Sequence, residues 1–395
     1  MKQFTPKLLN LPEQYQLTDH YEDRYRLKFS LKIRGKSRLC PKCGTKTNKV
    51  YERKFKKIKH TFWHHRPCWL FIETRKFRCP CCKSRFWEEL PGIAKYARRS
   101  EALKEQISEE ALNGYNNKAV AKKYNIGTAT VQRDINSHAR RKLKEKESNI
   151  CPRILGIDEH FFTKKSEYIT TLCDLERRKV FDIVQGRSER SLATYLRKLE
   201  NKERCEVIVM DLSSTYRSIA KKYFPNAKIV ADRFHVVRLA LQRVIETWKQ
   251  LAPKDRANRG LVSLFRRHPS KLSVQQENNF FRYLNTKPHI KALYKLKNRL
   301  GRLLNLKEMK HSYARKVIRY YFSVLHFLRK SNFQPLIKLA DTLEEWHEEI
   351  LMMMRINRSN GPTEGFHNKM KRIVRIGYGF RNFENYRLRV LLQCG

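Results

Sequence analysis

Arg153-Ile-Leu-Gly-Ile-Asp-Glu-His-Phe-Phe162, Tyr168-Ile-Thr-Thr-Leu-Cys-Asp174 and Lys179-Val-Phe-Asp-Ile-Val184 are three short apolar runs in succession. Each is too short for a buried helix and rich in residues that fit a pleated surface, so they read as three strands. Residues 191–199 and 215–223 have helical character, and Cys205-Glu-Val-Ile-Val-Met-Asp211 and Ala227-Lys-Ile-Val-Ala-Asp232 read as two further strands. Three strands, helix, strand, helix, strand predicts an α/β unit with a mixed sheet.

Outward from this unit the character changes on both sides. Residues 236–355 lose strand character and read as a long α-helical block rich in Arg, Lys, Leu and Tyr. Upstream, residues 107–113, 117–124 and 128–140 form a compact three-helix pattern that buries Ala119, Val120, Ile126, Val131 and Ile135. Asn125-Ile126-Gly127 supplies a tight turn and Thr128 is expected to cap the next helix, as in a helix-turn-helix. Thr128, Thr130, Gln132 and Arg133 are residue types that reach phosphates and base edges from such a helix. The run Arg140-Arg141-Lys142-Leu143-Lys144-Glu145-Lys146-Glu147 reads as a solvated helix end or linker.

Residues 35–90 are basic, aromatic and cysteine-rich. Cys40-Pro-Lys-Cys43 and Cys79-Pro-Cys81-Cys82 are two knuckles whose thiolates suit tetrahedral zinc. Cys40, Cys43, Cys79 and Cys82 have matching spacing, which leaves Cys81 spare, and His60, His64 and His65 lie between the knuckles as alternative ligands. A module of this size is expected to have little core and to draw much of its folding energy from the metal.

Charge sets the class of partner. The 395 residues carry 86 Lys+Arg against 38 Asp+Glu, a net of +48. Such an excess is tolerated most easily beside a polyanion, so strong, salt-sensitive nucleic-acid binding is expected. No apolar run approaches the ~20 residues of a membrane span and no apolar leader follows Met1, which predicts a cytoplasmic, nucleoid-associated protein. The expected architecture is multidomain α+β. It divides into an N-terminal region over 1–98, a helix-turn-helix over 99–148, an α/β core over 149–238, an all-α insertion over 239–354, and the rest of the core over 355–395.

The chemistry is expected in the α/β core. Asp158 interrupts the first strand and Asp211 ends the fourth, and adjacent strands would bring the two carboxylates together. Paired carboxylates bind hard divalent cations, magnesium or manganese, through oxygen. Two such ions ~4 Å apart activate a water or 3′-hydroxyl and stabilise the leaving oxygen of a phosphodiester. Glu364, in Asn357-Arg-Ser-Asn-Gly-Pro-Thr-Glu-Gly-Phe-His-Asn-Lys-Met-Lys-Arg372, is the candidate third acid. Asn360 would cap a helix with Pro362 in its first turn, and Glu364, Asn368 and Lys371 or Arg372 would share one face. Residues 355–395 hold nine Lys/Arg and two Glu, so an acid there asks for a reason, and metal ligation supplies one. The competing readings are a turn-forming Asp and a Glu that complements the helix dipole.

At these residues the chain resembles bacterial insertion-sequence transposases of the ISL3 type. The matching stretches are Gly156-Ile-Asp-Glu159, Ile208-Val-Met-Asp211, Ala227-Lys-Ile-Val-Ala-Asp-Arg-Phe-His-Val-Val237, Ser359-Asn-Gly-Pro-Thr-Glu-Gly-Phe366 and Tyr378-Gly-Phe-Arg-Asn-Phe-Glu-Asn-Tyr-Arg-Leu-Arg389. The resemblance implies a ribonuclease-H-like core with the triad Asp158, Asp211 and Glu364, and it adds Asp232 and His235 as catalytic candidates. It implies a transposase that binds terminal inverted repeats, cleaves each element end with metal assistance and joins the 3′-hydroxyl to target DNA, acting as a homodimer or higher oligomer. In the all-α insertion, Trp248, Arg256 and Arg259 are candidate DNA contacts, with a core role the stronger reading for Trp248. Three other readings are a regulator with an inactive catalytic domain, a ribonuclease-H-like nuclease, and a tyrosine recombinase using His235-Val-Val-Arg238 with Tyr378 or Tyr386.

Overall fold

The computed structural model describes residues 9–63, 66–145, 150–162, 168–255 and 257–395. His64, His65 and Arg256 lie outside them. Contacts divide the chain into two compact units, Met1–Lys146 with Arg375–Arg389, and Glu147–Val374 with Val390–Gly395.

The first unit opens with seven strands: β1 (Tyr15–Glu22), β2 (Leu27–Ile33), β3 (Arg38–Leu39), β4 (Lys46–Thr47), β5 (Val50–Trp63), β6 (Arg66–Arg78) and β7 (Arg85–Trp87). The main sheet runs β1-β2-β6-β5 with β7 on β6, while β3 and β4 form a separate pair. Alternation sends Leu27, Phe29, Leu31 and Ile33 of β2, and Cys68, Leu70 and Ile72 of β6, into a core shared with Leu9, Leu11, Tyr15 and Ile58. Residues 35–90 give that core only Ile58, Cys68, Leu70 and Ile72, and the rest comes from segments outside the cysteine-rich stretch. Strands β1 and β2, too polar on alternate positions to stand out in the sequence, supply Tyr15, Leu27, Phe29, Leu31 and Ile33.

Three helices follow, α1 (Glu101–Leu112), α2 (Asn117–Tyr124) and α3 (Thr128–Glu145). Ser100 and Asn116 cap the first two through their side chains. Asn125 takes the left-handed conformation, φ 47°, that turns the chain between α2 and α3. Thr128 is the first helical residue rather than the cap, since the Gly127 carbonyl accepts from the amides of Thr130 and Val131. Leu103, Ile107, Val120, Tyr124, Val131 and Ile135 form the helical core.

The second unit carries β8 (Ile154–Phe161), β9 (Tyr168–Asp174), β10 (Lys179–Gln185), α4 (Glu189–Lys198), β11 (Val207–Met210), α5 (Ser214–Tyr223) and β12 (Lys228–Ala231). The strand order is β10-β9-β8-β11-β12. The first three strands form an antiparallel meander, and β11 and β12 run parallel to β8. The mixed sheet expected from the strand runs is therefore present. Seven helices follow: α6 (Arg233–Leu251), α7 (Arg259–Arg266), α8 (Val274–Asn285), α9 (Pro288–Leu304), α10 (His311–Arg329), α11 (Gln334–Glu345) and α12 (His347–Arg355). Trp248 is wholly buried among their aromatic side chains, 5.8 Å from the Phe265 ring, and Arg259 is exposed. The chain ends with α13 (Gly361–Ile376) and α14 (Phe383–Cys394).

Candidate active site

Strand register lines up three aspartates. Met210 of β11 lies opposite Ile157 of β8 and Ala231 of β12, and the next residue on each strand is Asp211, Asp158 or Asp232. The Asp232 amide donates to the Met210 carbonyl at 2.6 Å, which holds this level of the sheet together beyond the last strand pair. The three aspartates thus stand at one level of the sheet, Asp211 and Asp232 just past the ends of β11 and β12 and Asp158 within β8.

The charges there are poorly compensated. Asp158 is 6% exposed and Asp232 1%. Burial raises the Asp158 carboxyl to about 7; the Glu159 amide and His235 pull it down, and neighbouring Asp211 and Asp232 push it further up. Burial also raises Asp211 and Asp232, with His235 again opposing. Asp211 Oδ1 is buried without a hydrogen-bond partner. His235 Nδ1 stands 3.6 Å from Asp232 Oδ2, too far for a hydrogen bond. Asp232 occupies the cap position of α6 without a side-chain capping bond, so capping does not account for it.

Helix α13 brings Glu364 to this unit. Asn360, just before the helix, donates from Nδ2 to the Ile157 carbonyl at 3.2 Å, and its amide donates to Asp232 Oδ1 at 3.4 Å. Its Oδ1 accepts from the Thr363 hydroxyl. Gly156 makes this approach to β8 feasible, because a Cβ there would lie 2.5 Å from Asn360 Oδ1. Glu364, Asn368, Lys371 and Arg372 are all exposed, as their shared helical face requires.

The first unit holds a different ligand set. The sulfur atoms of Cys40, Cys43, Cys79 and Cys82 all lie within 4.8 Å of one another, and Cys81 is exposed outside the group. Sγ–Sγ separations of 3.6 Å for Cys40–Cys82 and 3.5 Å for Cys43–Cys79 approach the ~3.8 Å edge of a zinc–thiolate tetrahedron. Hydrogen bonding at Thr45 holds the Cys43 thiol down to about 5. His60 is tied elsewhere, to Ser100 Oγ at 2.7 Å and the Leu9 carbonyl at 2.6 Å. Among the described residues this is the only group of three or more Cys, His, Asp or Glu that meets the 4.8 Å spacing, so the oxygens of Asp158, Asp211 and Glu364 stand further apart.

On α3, Thr128 and Arg133 are exposed, and Arg133 donates to the hydroxyl of half-buried Thr130 at 3.2 Å. Gln132 is engaged within the unit: its Oε1 accepts from Asn117 and its Nε2 donates to Asn136, both at 2.9 Å. Asn136 continues to Asn385, and buried Arg389 donates to Asn117 at 2.6 Å. Arg133, Arg140, Arg141 and Lys144 line a basic groove along the helix.

Residues 155–390 match a family model described as transposase, and residues 88–139 match the helix-turn-helix domain of transposase family ISL3. The chain belongs to this family. Residues 36–82 of this ISL3 transposase match the zinc-finger of transposase IS204/IS1001/IS1096/IS1165, the stretch that contains all four clustered cysteines. Over 374 residues it is 25% identical to the transposase for insertion sequence element IS1001 of Bordetella parapertussis, covering 92% of this chain and 90% of that one. It is a DNA-binding transposase, and no helix among its described residues is long and apolar enough to cross a membrane. Tyr386, considered above as a recombinase nucleophile, is a buried ring packed 5.4 Å from Phe380.

Sequence reading of the ISL3 transposase missed a histidine pair beside Asp158. His367 Nδ1 lies 3.7 Å from Asp158 Oδ2, and its Nε2 is 3.1 Å from the Thr171 hydroxyl. Thr171 is the cross-strand neighbour of Asp158 and also meets His160 Nδ1 at 3.0 Å. Burial lowers His367 to about 4 and His160 to about 3, so both rings are neutral at neutral pH. The available signal was the Glu364-x-x-His367 spacing, which sets both side chains over one helical turn.

Proposed function

We propose that Asp158, Asp211 and Glu364 form the acidic site of a metal-dependent transposase that cleaves and joins DNA. The observation that carries this reading is the row of three aspartates at one level of the sheet, Asp158 and Asp232 buried and Asp211 half-buried, with raised carboxyls and an unpartnered Asp211 oxygen. A buried carboxylate without a cationic partner is costly, and a bound cation removes that cost. Magnesium or manganese held there would supply the Lewis acid that activates water or a 3′-hydroxyl and stabilises the leaving oxygen.

The protein's own groups set the geometry. Asn360 ties the start of α13 to β8, and on this reading it positions the helix that would present Glu364 to the metal. His235 offsets the mutual repulsion of the three aspartates, and Asp232 anchors the Asn360 amide. Lys371 and Arg372, on the Glu364 face, would contact DNA phosphates. The zinc module and helix-turn-helix, through Thr128, Thr130 and Arg133, would recognise the terminal inverted repeats. Gln132 would have to leave its amide partners to read a base. Pairing two element ends calls for at least a homodimer on DNA.

The test is strand cleavage on DNA carrying the element's own ends, with and without magnesium, comparing wild type with Asp158→Ala, Asp211→Ala and Glu364→Ala. Metal-dependent cutting lost in all three, with DNA binding intact, is the expected result. Cutting that persists in the variants sinks the assignment.

A further inference from the structure

The main sheet of the N-terminal unit buries one face and leaves the other partly exposed, and the second face has an unusual composition. A solvated sheet face normally carries polar residues opposite an apolar core. Here the outward positions of central strand β6 are Trp69 and Phe71, both only partly buried. Register completes two rows across the sheet, Lys28–Trp69–Lys59 and Ser30–Phe71–Lys57. Lys57 Nζ lies 4.4 Å from the Trp69 ring centroid and 5.9 Å from that of Phe71, and Lys59 Nζ lies 5.9 Å from Trp69. The acid of the next row, Glu73, is paired with Arg53 across the strands. Lys59 also donates to the Tyr124 carbonyl at the end of α2, so this face runs up to the helix-turn-helix.

We propose that this face is a stacking platform for unpaired DNA, with Trp69 and Phe71 each taking a base and Lys28 and Lys57 taking phosphates. Two aromatic rings flanked by ammonium groups are what a single strand requires: a π surface for each base and cations for its backbone. Alternate residues of a strand stand about 6.6 Å apart, which fits an extended single strand and not the ~3.4 Å rise of a duplex strand. In the free chain the Lys57 ammonium occupies the space over Trp69, and its flexible stem lets it move to a phosphate when a base arrives. The proposal stands independently of the metal site.

The experiment measures fluorescence anisotropy of a labelled oligothymidine strand and of a duplex of equal length on the full chain at several salt concentrations. Trp69→Ala with Phe71→Ala is expected to weaken single-strand binding about 30-fold or more and to change duplex binding less than about twofold. Trp69→Phe restores most of the single-strand affinity lost by Trp69→Ala. Lys28→Gln with Lys57→Gln is expected to flatten the single-strand log–log salt slope by about 1.4. This pair removes only solvent-side ammonium groups, so it decides the matter if the alanine pair loses its zinc or its fold. Unchanged single-strand affinity and slope in the folded variants, or an equal loss on duplex, overturns the platform.

Discussion

The cysteine cluster and the aspartate row both gather ligands, by opposite means. Two knuckles place each cysteine pair within a single turn, so only the meeting of the knuckles depends on tertiary structure. The aspartates come from three strands and are level only because those strands pair in register. The electrostatics differ as well. Within the cysteine cluster the shifts are mixed: hydrogen bonding holds Cys43 down to about 5, while burial raises Cys79 to about 11. Asp158 is raised to about 7, so the site resists its own charge until a cation arrives. One ligand set is preassembled by two local turns, whereas the other is level only through strand pairing and has its charge opposed by burial.

The largest expected effect separates the two directly. Cys40→Ser or Cys79→Ser should lose zinc and melt the knuckles, costing about 5 kcal/mol or more, as seen by metal analysis and thermal unfolding. Asp158→Ala should leave zinc content unchanged while cleavage falls at least about 10³-fold. A cysteine variant that keeps both its metal and its melting temperature would break the comparison.

Next in size is Gly156→Ala. The added methyl would displace Asn360 from β8, destabilising the second unit by about 2–3 kcal/mol and lowering cleavage more than DNA binding. Cleavage at the wild-type rate would mean that the Asn360 contact does not position Glu364.

A pH test sharpens the electrostatic contrast. With its folded-state carboxyl raised to about 7 from the ordinary value of 3.8, Asp158 keeps a proton that the unfolded chain has lost. The stability it contributes is complete below about pH 4 and disappears as pH rises through about 7. Asp158→Asn should therefore exceed wild type by up to about 4 kcal/mol at pH 8 in magnesium-free buffer, with the gain shrinking toward pH 4 in denaturant melts. A gain independent of pH would remove charge as its cause.

The smallest expected effect concerns His367. Its replacement by Asn should reduce cleavage about tenfold and weaken manganese binding, read by titration, because a ring beside Asp158 helps orient that carboxylate. Equal manganese affinity in the two proteins would limit His367 to packing.

Local pattern carried much of the fold. The strand runs at 153–162, 168–174 and 179–184, and the three-helix pattern, correspond to β8–β10 and α1–α3 with ends shifted by a few residues. Those segments are legible because apolar period and capping chemistry act over a few neighbouring residues. The sheet built from β1, β2, β5 and β6 was not legible: it joins β2 to β6 in parallel across about forty residues, and nothing local to Leu27–Ile33 announces that partner. Gln132 shows the same limit, since its residue type suggests a base contact whereas its amide partners come from α2 and from its own helix.

The sequence by itself determined the partner class through charge and the tetrathiolate through knuckle spacing, and it singled out Asp158, Asp211 and Glu364 as the acids to propose. Tertiary structure alone decided that Asp158, Asp211 and Asp232 share one level, that Gly156 yields its space to Asn360, and that Trp69 and Phe71 lie together on the face away from the core, partly exposed. Charge and spacing are sums over a chain or a few residues and survive in one dimension. Burial, register and the direction of a side chain exist only once distant segments have paired.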